Sequence, residues 1–244
     1  MEFRGSSAYD QEDFFDRFMK RRGRQDSPNN AIEGPIIDEL LGDVQGKSIL
    51  DLGCGDGMFG KELLQRGAGF YTGVEGSAKM AAAANGNLSG ENCAISHNTM
   101  EKYIYPSGQF DIVASRLAIH YLTDIQSLFL NVHKTLKEHG RFVFSVQHPL
   151  TTSSFLSKQT GEKRGNWIVD DYFHEGERKE PWMEEVVVKY HRTIEQYFRA
   201  LVSAGFSVTD LREGNPKREH FSSEEEFTRR KRIPVILAFS CAKK

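Results

Sequence analysis

An α/β fold, with helices on both faces of a mostly parallel sheet, is what this sequence predicts, and three observations carry the prediction. Short apolar runs alternate with amphipathic segments of helical period. One such run, Ser48-Ile49-Leu50-Asp51-Leu52, is apolar enough for a strand buried on both faces and leads straight into glycines at every second position, Gly53, Gly55 and Gly57. A further run, Phe70 to Glu75, also ends on an acid and is followed by Gly76-Ser77. Strand, glycine turn and helix form the opening unit of a nucleotide-binding α/β fold.

The elements follow in order. Tyr9 to Met19 sets Phe14, Phe15, Phe18 and Met19 among charges, which predicts an amphipathic helix with an aromatic face. That face has two uses open to it, packing on the core or closing over a ligand. Gly23 to Asn30 is a polar turn region containing Pro28, and Ile36 to Leu41 is a short helix leading to the first strand at Lys47. Past the glycines, Phe59, Leu63 and Leu64 oppose Lys61, Glu62, Gln65 and Arg66, as on a helix. Phe70 to Glu75 is the second strand, and Ser77 is placed to cap a helix running through Ala84. Asn92 to Ser96 and Phe110 to Ser115 supply the third and fourth strands, the latter continuing as Arg116 to Leu122. Asp124 to Lys137 carries Ile125, Leu128, Phe129, Val132 and Leu136 on one helical face, with Gly140 as the expected stop. Phe142 to Val146 is the fifth strand. Leu150 to Met183 is polar and turn-rich, and a loop this long in a compact domain is expected to act as a lid. Val186 to Tyr190 reads as a strand, Thr193 to Ala204 as a helix capped by Gly205, and Phe206 to Leu211 and Pro234 to Ser240 as the last two strands.

The totals narrow the function classes. A chain of 244 residues is enough for one α/β domain with an added cap. The formal net charge of −2 offers no global field for nucleic acid or anionic membrane. The basic clusters Lys20 to Arg24 and Arg229 to Arg232 read as solvated surface, the second offset by Glu224, Glu225 and Glu226. Cys54, Cys93 and Cys241 are odd in number and lack metal-ligand spacing, so neither a disulfide framework nor a metal site is expected. No apolar core of a signal peptide begins the chain, and no run nears the ~20 apolar residues of a membrane span. These features predict a soluble, cytoplasmic protein without a nucleic-acid or membrane partner.

Two ligands compete for the glycine turn. A dinucleotide requires G-x-G-x-x-G directly after the strand, with its pyrophosphate on the helix N-terminus. The formal match, Gly55 to Gly60, begins too late, and Asp56 would set a negative charge beside a phosphate. S-adenosylmethionine (SAM) has no phosphate; it carries an ammonium, a carboxylate and a cationic sulfur. Asp51 at the strand end suits the ammonium, bare backbone at Gly53, Cys54, Gly55 and Gly57 can meet the rest, and Glu75 with Gly76 and Ser77 suits the ribose hydroxyls. An NAD(P)-dependent oxidoreductase and a non-catalytic SAM-binding regulator are the alternative functions.

Asp51-Leu52-Gly53-Cys54-Gly55-Asp56-Gly57 resembles motif I of the class I SAM-dependent methyltransferases. With Val74 to Ser77, Phe110 to Val113 and Leu136 to Phe144, residues 46–149 look like the methyltransferase type 11 group. Phe144 to Pro149, Tyr172, Gly176 to Arg178, Trp182, His191 to Thr193 and Ala204 to Phe206 are similar to a bacterial subgroup acting on small molecules. The resemblance implies a Rossmann-like class I methyltransferase fold: a seven-stranded, mostly parallel sheet with an antiparallel last strand. It implies one domain, with residues 1–45 as an N-terminal helical cap and 46–149 as the SAM-binding core. Residues 150–192 would be a lid inserted after strand five, and 193–244 the closing helix and edge hairpin. It also implies that Asn98, Thr99 and Met100 flank adenine, although an acid is more usual at this loop.

Methyl transfer needs an aligned nucleophile and dry walls, and some acceptors need a base. His148 and His120 lie just past strand ends and are the candidate bases, weighed against packing roles. Arg116 is a candidate for the SAM carboxylate or an acidic acceptor, against a surface ion pair. Trp167, Tyr172 and Arg178 are candidate substrate contacts in the lid, against a small satellite core. Enzymes that methylate exocyclic amines of nucleic acids carry an Asp/Asn-Pro-Pro-aromatic element, where this chain reads Ser115-Arg116-Leu117-Ala118. No Cys follows a Pro, which disfavours the cytosine C5 enzymes. The expected product of the cofactor is S-adenosylhomocysteine.

Overall fold

The computed structural model describes residues 2–158 and 166–244, so residues 159–165 of the expected lid lie outside the described residues. The chain opens with a short strand, β1 (Glu2–Arg4), a 3-10 turn (Gly5–Asp10) and helix α1 (Glu12–Arg22). A π-turn (Asn29–Glu33) leads into α2 (Gly34–Leu41). The alternating core follows: β2 (Ser48–Leu52), α3 (Met58–Gln65), β3 (Phe70–Glu75), α4 (Ala78–Asn87), β4 (Cys93–His97) and β5 (Phe110–Arg116). Next come α5 (Ile125–Thr135), β6 (Leu136–Gln147) and the single turn α6 (Pro149–Thr152). A hairpin of β7 (Gly176–Trp182) and β8 (Glu185–His191) precedes α7 (Ile194–Ser203), β9 (Phe206–Glu213), α8 (Glu224–Arg230) and β10 (Ile236–Lys243).

Seven strands form the main sheet in the order β4-β3-β2-β5-β6-β10-β9. The first five pair in parallel, and β10 runs antiparallel to both neighbours, as the sequence led one to expect. Side chains alternate across it. Leu50, Val113, Phe142 and Phe144 pack with α5 and α7 on one face. Ile49, Ile112 and Val143 pack with α2 and α3 on the other. Both faces are thus covered, which is why these strands read as unbroken apolar runs. The chain reverses direction across the sheet between β2 and β5, the switch point where open α/β sheets hold ligands.

Two expectations need correcting. Gly140 does not end α5: the helix stops at Thr135, β6 starts at Leu136, and Gly140 lies within it. The turn falls on His139, whose φ is 62°, beside an irregularity in the β5–β6 pairing. The lid is not a structureless loop either. A second, three-stranded sheet, β1-β8-β7, ties the lid to the N-terminus, with Phe3 opposite Val187. The aromatic face of α1 packs on this sheet rather than on the main core. Phe14 and Phe18 stand 5.5 and 5.9 Å from Trp182, and Phe3, Ala8 and Val187 complete the cluster. Among the described residues no helix is long and apolar enough to cross a membrane.

Candidate functional site

A cavity of ≈ 1460 Å³ opens over the carboxyl ends of β2, β3 and β5, roofed by the N-terminal segment and the β7–β8 sheet. One drug-sized ligand usually fills ~300–1,000 Å³, so this space suits two ligands side by side.

The glycine turn builds its floor. The amides of Gly53 and Cys54 both donate to the Val74 carbonyl, at 2.8 and 3.1 Å, which pins the turn to β3. Gly53 has φ of 79°, and a Cβ there would stand 2.6 Å from Ala118 Cβ and 3.0 Å from Met100 Cε. Only glycine leaves this cradle open. The Glu75 carboxylate accepts from the amides of Gly55 at 2.9 Å and Ser77 at 2.8 Å, so its orientation is set before any ligand arrives. Burial raises its pKa against those hydrogen bonds. Beneath the turn, Asp51 Oδ2 accepts from the Tyr71 hydroxyl at 2.7 Å, while Asp51 Oδ1 is buried with no partner. Burial pushes the Asp51 carboxyl up to about 6, offset in part by Tyr71, Arg116 and Arg22. A buried carboxylate oxygen without a partner is costly and marks a place for a donor or cation. This orphan oxygen, the open backbone at Gly53 and the fixed Glu75 together fit SAM.

The structure brings many of the expected residues to one cavity. Gly53, Gly55, Glu75, Gly76, Asn98, Thr99, Met100, Arg116, His120 and Trp167 all line it. Asp51, Cys54, Gly57 and Ser77 sit just beneath. Cys54 is buried against Gly73, Gly57 (φ 75°) starts α3, and Ser77 caps α4 while its hydroxyl donates to Asp10 at 2.8 Å. At the end of β5, Leu117 adopts φ of 52°, a left-handed conformation that costs roughly 1–2 kcal/mol. Its amide donates to the Ser145 carbonyl at 3.1 Å and hydroxyl at 3.0 Å. That bend sets Ala118 against Gly53 and brings His120 into the cavity wall.

Several assignments change. His148 does not line the cavity. It is buried, its Nδ1 accepts from the Leu150 amide at 3.1 Å, and its Nε2 donates to Glu213 at 2.9 Å. Both ring nitrogens are spent on capping α6 and holding β9, so it is not placed as a base. His120 is buried in the cavity wall, and its Nδ1 accepts from the Gln147 amide at 3.4 Å. Burial, with the Lys189 and Arg192 charges, holds its pKa well below the usual range. With Nδ1 accepting, the proton of the neutral ring sits on Nε2, which makes His120 a donor and a weak base. Arg116 forms a two-pronged ion pair with buried Glu33 and lies 4.5 Å over the Phe59 ring. Tyr172 and Arg178 do not reach the cavity. Arg178 donates to the carbonyls of Ser153, Asp171, His174 and Glu177, and the Tyr172 carbonyl accepts from His191 Nε2 at 2.8 Å. They hold the lid together. Trp167, which does line the cavity, has the Arg232 guanidinium 5.3 Å above its ring.

Other residues at the site are ones the sequence reading treated as surface. Arg22 reaches back over the glycine turn, 3.7 Å from Asp56 and 3.6 Å from where a Gly55 Cβ would lie. Arg229 and Arg230 keep only 17% and 13% of their side chains exposed, and both line the cavity with Arg22. A basic run reads the same in sequence whether it faces water or a ligand. No local signal in the sequence tells the two apart; in the structure the Asn30 side-chain amide donates to the Arg22 and Arg24 carbonyls, both at 2.9 Å.

Comparison with known proteins agrees with this geometry. Residues 50–144 match the family model described as a methyltransferase domain. The chain is 32% identical over 219 residues to an uncharacterized protein of Haemophilus influenzae, covering 85% of each. It is 26% identical over 175 residues to an uncharacterized methyltransferase of Geobacillus thermodenitrificans, covering 71% of this chain and 75% of the other. The crystal structure of an S-adenosylmethionine-dependent methyltransferase from Mesorhizobium loti superposes with a TM-score of 0.80 at 31% identity, covering 91% of this chain and 99% of that one. The glycine turn, its two acids and this kinship lead to one conclusion: the chain is an enzyme of the class I SAM-dependent methyltransferase family.

Proposed function

We propose that the enzyme transfers the methyl group of SAM to a small-molecule acceptor, an oxygen, nitrogen or carbon nucleophile, by in-line displacement, releasing S-adenosylhomocysteine. The observation that carries this reading is the roofed cavity, roomy enough for two ligands and closed by the β1-β8-β7 sheet. Residues 1–45 and 150–192 act as one cap on a single methyltransferase domain, whose core is 46–149 and whose sheet is completed by 193–244. A roof of this kind disfavours a nucleic-acid acceptor, and the net charge of −2 adds no pull toward nucleic acid or membrane. The thiols of Cys54, Cys93 and Cys241 are free, which suits a cytoplasmic setting.

SAM supplies an activated methyl group on a cationic sulfur. The chain supplies binding, alignment and dry walls. Glu75 accepts from the ribose hydroxyls, Asp51 meets the ammonium, and Arg22 meets the carboxylate. Asn98, Thr99 and Met100 flank the adenine. His120 donates from Nε2 to the acceptor and orients it, and Tyr9 and Tyr121 wall the reacting end from water. Holding two reactants in line is worth ~7–11 kcal/mol in favourable cases, so positioning alone can account for much of the rate.

Labelled SAM incubated with a metabolite extract tests the reading. Label is expected in the small-molecule fraction; label in RNA or protein alone would contradict it. Asp51→Asn and Glu75→Gln are each expected to weaken S-adenosylhomocysteine binding at least tenfold, about 1.4 kcal/mol, by calorimetry. Unchanged affinity in both would remove these residues from the cofactor site.

A further inference from the structure

At one corner of the cavity two helix ends meet. Arg21 lies in the last turn of α1, Arg24 two residues past it, and Arg229 in the last turn of α8. All three line the cavity. Arg21 and Arg24 are exposed at its rim, while Arg229 is more deeply set. A basic residue is ordinary at a helix C-terminus. Basic residues from two elements converging on one cavity are not.

Their charges are poorly compensated. Among the described residues no carboxylate lies within 4 Å of Arg21 or Arg24. Arg229 donates from Nη2 to both oxygens of Glu226, at 3.1 and 2.7 Å, but its Nε is buried with no partner. Asp26 also lines this corner. The corner therefore sets Arg21, Arg24 and Arg229 beside Asp26 and Glu226, while Arg22 pairs with Asp56 at 3.7 Å. Partial burial and the Arg24 and Arg229 charges lower the Arg21 pKa, the sign of guanidinium groups crowding one another. Glu184 also borders Arg21 and Arg24, and three other cavity acids have partners of their own. Asp10 accepts from the Ser77 hydroxyl at 2.8 Å. Glu75 faces the glycine turn, Glu180 pairs with Lys189, and Glu184 spends its carboxylate on Arg17 at 2.5 Å, with neither Arg21 nor Arg24 within 4 Å of it. A guanidinium fork matches an oxyanion in shape and charge.

We propose that the acceptor is a small anion, its carboxylate or phosphate held by Arg21, Arg24 and Arg229 at the rim while its reacting atom extends inward toward Ala118 and His120. This rests on the methyltransferase reading and adds the charge class of the substrate. The charged end is bound away from the sulfur, so it orients the acceptor without competing with the transferred methyl for contact.

Calorimetry of the protein loaded with S-adenosylhomocysteine, titrated with inorganic phosphate and separately with benzoate, tests the site and tells the two oxyanions apart. At least one is expected to bind, and Arg21→Gln/Arg229→Gln is expected to weaken it tenfold or more. Affinity for S-adenosylhomocysteine should stay within threefold. Arg24→Gln, a change at an exposed side chain, repeats the test should the double variant misfold, with a loss of threefold or more expected. No binding by wild type, or equal binding by the variants, would overturn the proposal. The same titrations without S-adenosylhomocysteine judge the arginines by themselves, so a failure of cofactor binding would count against the methyltransferase reading alone. In the labelled-SAM reaction, the methylated product should be retained on an anion exchanger at neutral pH. Product in the flow-through, or label on RNA lost in the same variants, would overturn the small-anion assignment.

Discussion

Glu33→Ala lowers the free energy of unfolding by about 3 kcal/mol. Glu33 is fully buried where the π-turn enters α2. Its carboxylate accepts from Arg116 Nε at 3.0 Å and from Nη2, and from the Ser145 hydroxyl at 2.7 Å. One side chain thus joins the N-terminal segment to the ends of β5 and β6. Removing it strands the Arg116 guanidinium, whose side chain is only 18% exposed, and takes the acceptor from a buried hydroxyl. Breaking a buried pair from one side costs ~3–5 kcal/mol, and the residual exposure of Arg116 argues for the lower end. At ~2–4 °C per kcal/mol for a chain of this length, Tm should fall by about 6–12 °C. Replacing both partners, as Glu33→Met/Arg116→Met, should cost less than the single change, because no charge is left behind. A loss below 1 kcal/mol for Glu33→Ala would show that the pair holds nothing together.

Gly53→Val should cut S-adenosylhomocysteine affinity at least 100-fold, about 2.7 kcal/mol, in a protein that still folds. Two effects combine. A φ of 79° is expensive for any residue with a Cβ and most expensive for a branched one. The added carbon would also meet Ala118 Cβ at 2.6 Å and Met100 Cε at 3.0 Å, forcing apart the two walls of the cradle. Gly53→Ala isolates the first methyl and should give an intermediate loss with less strain. Circular dichroism and calorimetry on the same samples separate misfolding from a blocked site. Affinity within threefold of wild type would mean that the ligand does not lie against this backbone.

The parts of the fold legible in sequence were those governed by local chemistry and by burial on both faces. Ser48 to Leu52 and Phe70 to Glu75 are strands whose side chains are mostly buried in the sheet, and Ser77 caps a helix through its own hydroxyl. Elements held by distant pairing were not legible. Glu2–Arg4 is too short to announce a strand, and Gly176–Trp182 is polar and contains Pro181. Each is a strand only because β8 lies between them. Glu224–Arg230 read as a charge run, yet it is a helix whose Glu226 draws Arg229 and Arg230 inward.

The same division holds at the site. The glycine turn and its acids stood out because that chemistry leaves little choice of residue. Arg22, Arg229 and the Tyr9–Trp182 roof did not, since long-range folding alone brings them there. His148 drew notice by following a strand, but its flanking proline starts α6 and its ring serves as that helix's cap.

The central claim is that the bend after β2, with Asp51 below it and Glu75 beside it, holds a sulfonium donor. A crystal structure of the protein with S-adenosylhomocysteine is the most direct test. The account predicts ribose hydroxyls on the Glu75 carboxylate and the amino acid part lying over Gly53 to Gly55. Electron density for the ligand anywhere else, with that bend bare, would contradict it.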